Sequence, residues 1–337
     1  MITIIQEKDA WKETMARFSD HDFYHTYDYH VISKKENETP ILILFEDADR
    51  AIAIPFLRRP IANTPYNDLT SVYGYAGPVF DNFDFKGENE LFAQNFNDIL
   101  RDLNIVSIFS RLHPYIPGQE EVLKSLGQTP TIGKVVNIDL TLDLAEQRTQ
   151  YSKSTKNRTN KCRKQSTVRK AETEEDINTF VDIYYENMDR LSATKDYYFS
   201  REYFFEFMRC DDFDTEILMV INNEDEVAMA ASMFVKTNDY VQFHLSGSRT
   251  SYLNLAPANV FLDEMRILAT DEGHKFFNLG GGLGGQEDSL FAFKSSFSND
   301  YKDFKVWKYI VDDEVYSELS KSKMQGGNEG FFPLYRK

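Results

Sequence analysis

Short apolar runs separated by polar turns shape the first part of the chain. Ile41–Phe45 and Ala51–Leu57 are predicted to be two β-strands on either side of the acidic turn Glu46–Arg50. Apolar residues then recur with a helical period across Glu88–Leu103, and another strand-like run, Ile105–Phe109, follows. We therefore predict a mixed unit of helices and strands here.

The pattern changes after a further predicted strand, Val135–Leu140. The basic segment Tyr151–Lys170 and the periodic segment Ile177–Leu191 are predicted to be helices. Next come three strand-like runs, a helix and two more strands: Glu216–Ile221, Val227–Val235, Tyr240–Leu245, Pro257–Thr270, Lys275–Leu279 and Phe304–Val311. Meandering strands followed by a helix and another strand are typical of an α+β sheet, not of a doubly wound parallel one.

The densest local signal is a glycine run after the strand Lys275–Leu279. It comprises Gly280, Gly281, Gly282, Gly284 and Gly285. Because glycine permits positive φ and close backbone approach at an entropic cost, we predict either a tight turn or a loop that faces a substrate. Three of these glycines match G-x-G-x-x-G, but Glu287 and Asp288 stand where phosphates would lie, which disfavours a dinucleotide site. An amphipathic segment, Leu290–Phe297, follows and carries Lys294.

Composition narrows the class of protein. The 337 residues are 42% hydrophobic and carry a net charge of −16, which argues against non-specific adhesion to nucleic acid or anionic lipid. No signal-peptide pattern and no apolar run of membrane-spanning length is visible, so we expect a cytoplasmic protein without a membrane span. Neither Cys162 and Cys210 nor the histidines have a convincing metal-ligand spacing, so we expect no metal and no tightly bound cofactor.

A basic segment stands out against this acidic background. Between Ser152 and Ala171 there is no acidic residue, and the cationic residues are Lys153, Lys156, Arg158, Lys161, Arg163, Lys164, Arg169 and Lys170. Such a local positive field suits a polyanion such as a diphosphate, a CoA or a tRNA. Arg158 and Arg163 offer planar forks for phosphate oxygens. The alternative is a solvated helix face.

A loop with two tyrosines, Ser71–Pro78, is the third candidate. Tyr73 and Tyr75 flank a glycine, and the loop ends in Gly-Pro. Tyrosine combines apolar area with a hydrogen-bonding tip, which is useful against sugars and nucleobases. The alternative is a turn packed by its own rings.

Together these segments resemble the FemABX family of GNAT-like acyltransferases, which includes peptidoglycan bridge aminoacyltransferases. Tyr24–Tyr29 is similar to the N-terminal aromatic motif of the family, and Ser71–Pro78 to its SxYGYxGP loop. Tyr151–Ala171 resembles the basic helix that opens the second GNAT-like unit. The most specific likeness is Asn278–Gly281 with Leu290–Phe297, the glycine strand and the terminal "FK…F" signature.

The resemblance implies an α+β fold of two tandem GNAT-like domains with mixed, largely antiparallel sheets flanked by helices. The first domain would span 1–145 and be joined by the tail 316–337, and the second would span 146–315. The implied activity is N-acyl transfer of an aminoacyl or acyl group to an amine of a cell-envelope precursor, either peptidoglycan or a sugar nucleotide.

The same resemblance assigns candidate residues. Lys294 would stabilise negative charge on the acyl carbonyl or on the leaving group, and Phe293 is the second catalytic candidate. The candidate substrate-binding residues are Tyr73, Tyr75, Arg111, Lys156, Arg158, Arg163, Asn278, Gly280, Gly281 and Gly282. The expected acceptor is a nucleotide-linked or phosphate-bearing small molecule.

The acyl donor stays open between aminoacyl-tRNA and acyl-CoA. Ser246–Asn254 lacks the Q/R-x-x-G-x-G/A loop that binds CoA in ordinary GNAT enzymes, which favours charged tRNA, whereas the charge of −16 disfavours it. Two alternatives are an acetyl-CoA-dependent sugar N-acetyltransferase and a catalytically inactive sugar- or nucleotide-binding protein. A Lys294 buried against the glycine strand is expected of an active site, and a solvent-facing Lys294 of an inactive one.

Overall fold

The structure, a computed structural model, describes residues 1–47, 50–82, 89–323 and 331–337. It divides into two compact units: Met1–Ile132 with Asp303–Lys337 (unit 1), and Gly133–Lys302 (unit 2). These divisions fall earlier along the chain than the boundaries drawn from sequence after 145 and after 315. The reason at the first boundary is that the strand Thr131–Asp139 pairs with a strand of unit 2 through residues 136–139.

Strands and α-helices are numbered in chain order. The strands are β1 (Ile2–Ile5), β2 (Thr39–Asp47), β3 (Arg50–Pro60), β4 (Asn67–Thr70), β5 (Val79–Asp81), β6 (Ile105–Arg111), β7 (Thr131–Asp139), β8 (Ser166–Lys170), β9 (Asp214–Asn222), β10 (Ala228–Thr237), β11 (Tyr240–Ser248), β12 (Phe276–Gly280) and β13 (Asp300–Ile310). The helices are α1 (Lys8–Met15), α2 (Tyr27–Ser33), α3 (Asn89–Asp102), α4 (Gln119–Val122), α5 (Leu144–Thr149), α6 (Lys153–Arg163), α7 (Glu174–Arg190), α8 (Arg201–Arg209), α9 (Ala258–Asp271), α10 (Ser289–Ser295) and α11 (Asp313–Ser320). None of these helices combines the length and the apolarity that crossing a membrane requires.

Unit 1 is built on a sheet with strand order β1-β2-β3-β4-β6-β13, and β5 lies beside β3. Among its described pairs only β4 with β6 is parallel. The hairpin of β2 and β3 confirms the first two predicted strands, although residues 48 and 49 of the predicted turn lie outside the described residues. α3 confirms the predicted helix, whose first residue, Glu88, also lies outside them. Phe92 and Phe96 of α3 pack with Trp307 in the core of this unit.

A buried histidine makes unit 1 sensitive to acid. His30 on α2 is 0% exposed, its ring lies 5.1 Å from that of Trp11, and its Nδ1 donates to the Thr26 carbonyl oxygen at 2.8 Å. Burial lowers the pKa of His30 to about 4 from an ordinary value of 6.5. The unfolded chain therefore binds a proton more readily than the folded one, and stability is lost as the pH falls from about 6.5 through 4.

We expect this histidine to contribute a loss of up to about 3 kcal/mol in the free energy of unfolding between those pH values. Urea unfolding of the wild type and of His30→Phe at pH 7 and pH 4.5 measures it. The variant should lose less stability on acidification than the wild type, and an identical loss in both proteins would disprove the assignment.

Unit 2 has the strand order β7-β12-β11-β10-β9-β8, and of its described pairs only β11 with β12 is parallel. The three predicted strands after α8 are confirmed as β9, β10 and β11. Helix α9 covers one face, where the ring of Phe261 lies 6.2 Å from that of Phe234. On α8, Phe207 stacks at 5.0 Å against His244 of β11.

One predicted helix in unit 2 was partly wrong. The basic segment is helical only over α6, and its end, Ser166–Lys170, is the edge strand β8. This segment carries the β-branched residues Thr167 and Val168, and it gains backbone hydrogen bonds by pairing with β9. Sheet pairing therefore overrides the continuation of the helix.

Candidate functional site

The parallel strands β11 and β12 separate where the glycine run begins. Their pairing extends from Tyr240 opposite Phe276 to Gln242 opposite Asn278. Just beyond it, the register of β11 against β10 shifts, which leaves His244 as an extra residue, and the register of β12 against β7 shifts between residues 278 and 280. Such bulges bend a strand and are frequent beside active sites.

The glycine hairpin, residues 280–288, leaves β12 as a tight turn. Gly280 has φ +76°, and its N–H donates to Oδ1 of Asn278 at 2.8 Å. A Cβ on Gly282 would lie 2.0 Å from the carbonyl oxygen of Gln286 and 2.5 Å from Oδ1 of Asp288. The hairpin is therefore packed through its own backbone, as the tight-turn interpretation predicts, while Leu283 at its tip is exposed.

Gly282→Ala should displace the hairpin, because the added methyl group would overlap backbone and a capping carboxylate. We expect a loss of about 2 kcal/mol in the free energy of unfolding, as for other overpacked sites. Gly284→Ala is the matched control: its φ of +63° is strained for alanine, yet its Cβ would meet nothing within 4 Å. Thermal unfolding of both variants separates overlap from backbone strain, and an equal loss in both would contradict the packing argument.

Lys294 lies beneath this hairpin. Its helix, α10, is capped by Asp288, whose Oδ1 accepts from the Phe291 N–H at 2.9 Å. The Lys294 side chain is 7% exposed, and its Nζ donates to the Gly281 carbonyl oxygen at 2.7 Å. Nζ also lies 5.8 Å from the centroid of the Phe243 ring. This is the burial against the glycine strand that we expected of an active site.

The surroundings of Lys294 disfavour its charge. Burial lowers the pKa of Lys294 to about 8 from an ordinary value of 10.5, although the charge of Asp288 acts in the opposite direction. The amine is thus still mostly protonated at neutral pH, although its buried charge destabilises the folded state. A buried, strongly perturbed lysine beside a surface hairpin is a candidate functional group.

The other residues predicted around Lys294 differ in their surroundings. Phe293 packs against Phe297 at 5.4 Å and is half-buried. Asn278 is 1% exposed; while its Oδ1 accepts from Gly280, its Nδ2 has no hydrogen-bond partner among the described residues. Because a buried donor without a partner is costly, it supports the binding role predicted for Asn278. The roles of both residues stay predictions.

The basic helix α6 is tied to the end of α10. The Ser152 N–H donates to the Ser296 carbonyl oxygen at 2.8 Å, and the Thr155 hydroxyl donates to the Ser296 hydroxyl at 2.7 Å. The structure therefore brings the start of α6 to the helix that carries Lys294. On α6, Arg158 is exposed, while Lys156 donates to the Thr149 carbonyl oxygen at 3.0 Å.

Arg163, in contrast, is engaged inside the protein. It pairs with the buried carboxylate of Asp263 at 3.0 Å and with Glu264 at 2.7 Å. Arg148 and Arg266 also bind Asp263, at 2.9 Å and 3.0 Å. Burial raises the pKa of Asp263, but the three arginine charges outweigh it and hold the pKa below its usual range. These contacts disfavour the phosphate-binding role predicted for Arg163, which stays a prediction.

The tyrosine loop of unit 1, Ser71–Pro78, has features both of a turn packed by its own rings and of an exposed binding loop. Tyr75 packs edge-on against Tyr24 at 5.8 Å and Phe304 at 5.3 Å, as a turn closed by its own rings would. Tyr73 is 55% exposed, and the guanidinium carbon of Arg111 lies 5.4 Å from the centroid of its ring. Within unit 1 the structure thus brings Tyr73 and Arg111 together.

Sequence reasoning missed several residues of these sites. The Asp288 cap has a recognisable signal, since an aspartate directly precedes the amphipathic segment 289–297. Phe243 under Lys294 and Asp263 under Arg163 carry no local signal, because each meets its partner only when distant segments fold together.

Residues 209–302 match the profile of the FemAB family. This stretch contains β9 to β12, the glycine hairpin and Lys294. No curated protein sequence matches the chain significantly.

Solved structures extend the likeness to most of the chain. The structure of FemX matches with a TM-score of 0.74 at 11% identity, covering 94% of this chain and 99% of that one. A tandem GNAT protein from the clavulanic acid biosynthesis pathway matches with a TM-score of 0.51 at 10% identity, covering 91% and 98%. The C-terminal domain of a putative lysylphosphatidylglycerol synthetase from Agrobacterium fabrum matches with a TM-score of 0.58 at 12% identity, covering 90% and 92%.

Two predictions from sequence are thereby confirmed. The chain resembles the FemABX-type, GNAT-like acyltransferases, and it has the α+β fold of two tandem GNAT-like domains. Identities this low establish the fold alone.

Proposed function

We propose that this protein is an N-acyltransferase that transfers an aminoacyl or acyl group to an amine of a cell-envelope precursor. The observation that carries the proposal is the buried ammonium group of Lys294, held at 2.7 Å from the Gly281 carbonyl oxygen beneath the glycine hairpin. The match to the FemAB family covers this segment and supports the same reaction class.

The reaction joins an amine to an activated acyl carbon. The acceptor nitrogen attacks the ester or thioester carbonyl, a C–N bond forms, the C–O or C–S bond breaks, and the amine proton leaves with solvent or with the departing oxygen or sulfur. Negative charge grows on the carbonyl oxygen and then on the leaving group. A buried ammonium group stabilises such charge far better than an exposed one, because little water screens it.

The segment between β11 and α9 bears on the choice of donor. An anion such as the CoA pyrophosphate would accept hydrogen bonds from backbone N–H groups at the start of this segment. Here the carboxylate of Glu186 already accepts from the Thr250 N–H at 2.7 Å and pairs with Arg249 at 3.3 Å. This internal anion favours aminoacyl-tRNA over acyl-CoA as the donor. The reaction we propose takes place in the cytoplasm.

The acceptor we propose is a nucleotide-linked or phosphate-bearing small molecule. In unit 2 the exposed Arg158 and the half-buried Lys156 would contribute positive charge from α6. The Nδ2 group of Asn278, which has no hydrogen-bond partner among the described residues, would donate to an oxygen of the acceptor. Gly280, Gly281 and Gly282 would let the substrate approach the backbone.

A transfer assay tests the proposal. Purified protein is incubated with amine-bearing wall precursors and either aminoacyl-tRNA or acetyl-CoA, and the products are identified by mass spectrometry. We expect a mass shift of the acceptor with aminoacyl-tRNA. Product with acetyl-CoA alone would overturn the choice of donor, and no product with either donor would support an inactive binding protein.

A further inference from the structure

Arg111 of unit 1 is held between two aromatic rings. It is the last residue of β6 and half-buried, and its guanidinium carbon lies 5.4 Å from the centroid of Tyr73 and 5.6 Å from that of Phe109. A guanidinium that stacks on rings keeps its planar edge of N–H donors available. Such an edge matches two oxygens of a carboxylate or a phosphate.

The charge of Arg111 is not neutralised within the described part of the chain. Its guanidinium has no ion pair and no hydrogen bond to any described residue. In the same unit, Arg59 and Arg336 share the buried carboxylate of Asp68, at 2.7 Å and 2.8 Å. In a protein of net charge −16, an arginine placed beside two rings and without an ion pair among the described residues is available to bind an external anion.

Hydrogen bonds to main-chain atoms hold the backbone of Arg111 and Tyr73 in place. Ser71 binds the end of β6 twice: its N–H donates to the Phe109 carbonyl oxygen at 3.0 Å, and its hydroxyl accepts from the Arg111 N–H at 3.2 Å. The Tyr29 hydroxyl donates to the Tyr73 carbonyl oxygen at 2.6 Å. The loop and the strand end are thus held in one arrangement before any ligand binds, which lowers the entropic cost of binding.

Packing at Gly74 restricts the loop further. A Cβ at this position would lie 1.9 Å from the Tyr24 ring, and φ is +130°. Gln119 Nε2 donates to the carbonyl oxygens of Ala76 and Pro78 at 3.1 Å and 2.8 Å. The glycine is therefore required for the loop to lie flat on Tyr24 and keep Tyr73 directed at Arg111.

The C-terminal segment supports the second ring. Phe332 lies 6.5 Å from Phe109 and stacks at 5.8 Å on Tyr316 of α11. The segment is anchored by Tyr335, whose hydroxyl donates to Asp68 at 3.0 Å. Phe109 is thus backed by an anchored element.

We propose that Arg111, with Tyr73, forms an oxyanion-binding site of unit 1 that takes a carboxylate or phosphate group of the acceptor. The identity of the ligand as the acceptor rests on the proposed function, whereas the binding of an oxyanion by Arg111 does not. The exposed Tyr73 ring offers a stacking surface beside the anion, so the ligand carries a planar or apolar group next to its charge.

Calorimetric titration of the full chain tests the site with four probes. The carboxylate pair is a short peptide with a free C-terminus and the same peptide as its carboxamide. The phosphate pair is a nucleoside diphosphate and the uncharged nucleoside. We expect at least one charged probe to bind at least tenfold more tightly than its neutral partner, and the pair that does so identifies the oxyanion.

Variants separate the site from general charge. Arg111→Gln should weaken binding of the charged probe at least tenfold and leave binding of the neutral probe unchanged. Arg111→Lys should retain only part of the wild-type affinity for the charged probe, because lysine keeps the charge but lacks the planar fork. Arg58→Gln, which removes another half-buried arginine of the same sheet, is the control and should bind like the wild type. Thermal unfolding shows that each variant is folded, and Phe109→Leu, which keeps the charge but removes one ring, provides a second test by weakening binding about threefold.

Equal binding of charged and neutral probes, or unchanged binding in Arg111→Gln, would overturn the assignment. The result is independent of catalysis. If Arg111→Gln binds normally while wild-type protein transfers an acyl group, only the oxyanion site fails. If Arg111→Gln loses the anion while no acyl transfer is found, only the proposed function fails.

Discussion

Asp263→Ala should destabilise unit 2 by about 4 kcal/mol, because it leaves the buried Arg266 and two half-buried arginines without their anion. Asp263 is 0% exposed, and Arg148, Arg163 and Arg266 all pair with it. The Tyr151 hydroxyl, which donates to Asp263 at 3.0 Å, would also lose its acceptor. Removing one member of a buried charge network is among the most damaging single substitutions.

Urea unfolding monitored by circular dichroism measures this loss. The matched control is Glu264→Ala, the next residue, which pairs with the same Arg163 but is 26% exposed. An ion pair nearer the surface contributes at most about 1 kcal/mol, so the two variants should differ by several fold. Similar losses in both would show that Asp263 does not hold the arginines together.

Lys294→Met should have the opposite effect and raise the free energy of unfolding by about 2 kcal/mol at pH 7. The folded-state pKa of Lys294, about 8, lies below its ordinary value of 10.5, so the unfolded chain holds the proton more tightly. Below pH 8 the charged lysine therefore destabilises the folded state by about 3 kcal/mol. Because the variant also loses the hydrogen bond to Gly281, which stabilises the folded state by about 1 kcal/mol, the net gain is about 2 kcal/mol. The penalty declines as the pH rises from about 8 towards 10.5.

Denaturation of the wild type and Lys294→Met at pH 7 and pH 9.5 tests both the sign and the pH dependence. Lys156→Met serves as the control, since Lys156 also donates to one backbone carbonyl but is only half-buried. It should change stability by less than about 0.5 kcal/mol. A destabilised Lys294→Met at pH 7 would mean that the buried charge contributes to folding rather than opposing it.

Local sequence patterns predicted the elements that depend on residues close together in the chain. The apolar period of Ile177–Leu191 became α7, and the glycine run after Lys275–Leu279 became the hairpin. The resemblance to the FemABX family was predictable because its most specific motif, the glycine strand with the "FK…F" segment, is continuous in the chain.

Features that depend on distant segments could not be predicted this way. Arg163 looks like a phosphate ligand in sequence, yet Asp263, on a helix about a hundred residues later, binds it. Ser166–Lys170 continues a helical segment locally, yet it pairs with β9 across more than forty residues. The ring of Tyr73, beside which the Arg111 guanidinium lies, belongs to a separate loop earlier in the chain. In each case the partner lies far along the chain, so no local pattern encodes it.

In the proposed reaction, the buried ammonium group of Lys294 stabilises the charge that develops during acyl transfer. The most direct measurement is the single-turnover rate of acyl transfer by the wild type and by Lys294→Met, with saturating acceptor and with folding verified by thermal unfolding. We expect a rate at least about a hundredfold lower in the variant, with unchanged acceptor affinity. A rate within threefold of the wild type would contradict it.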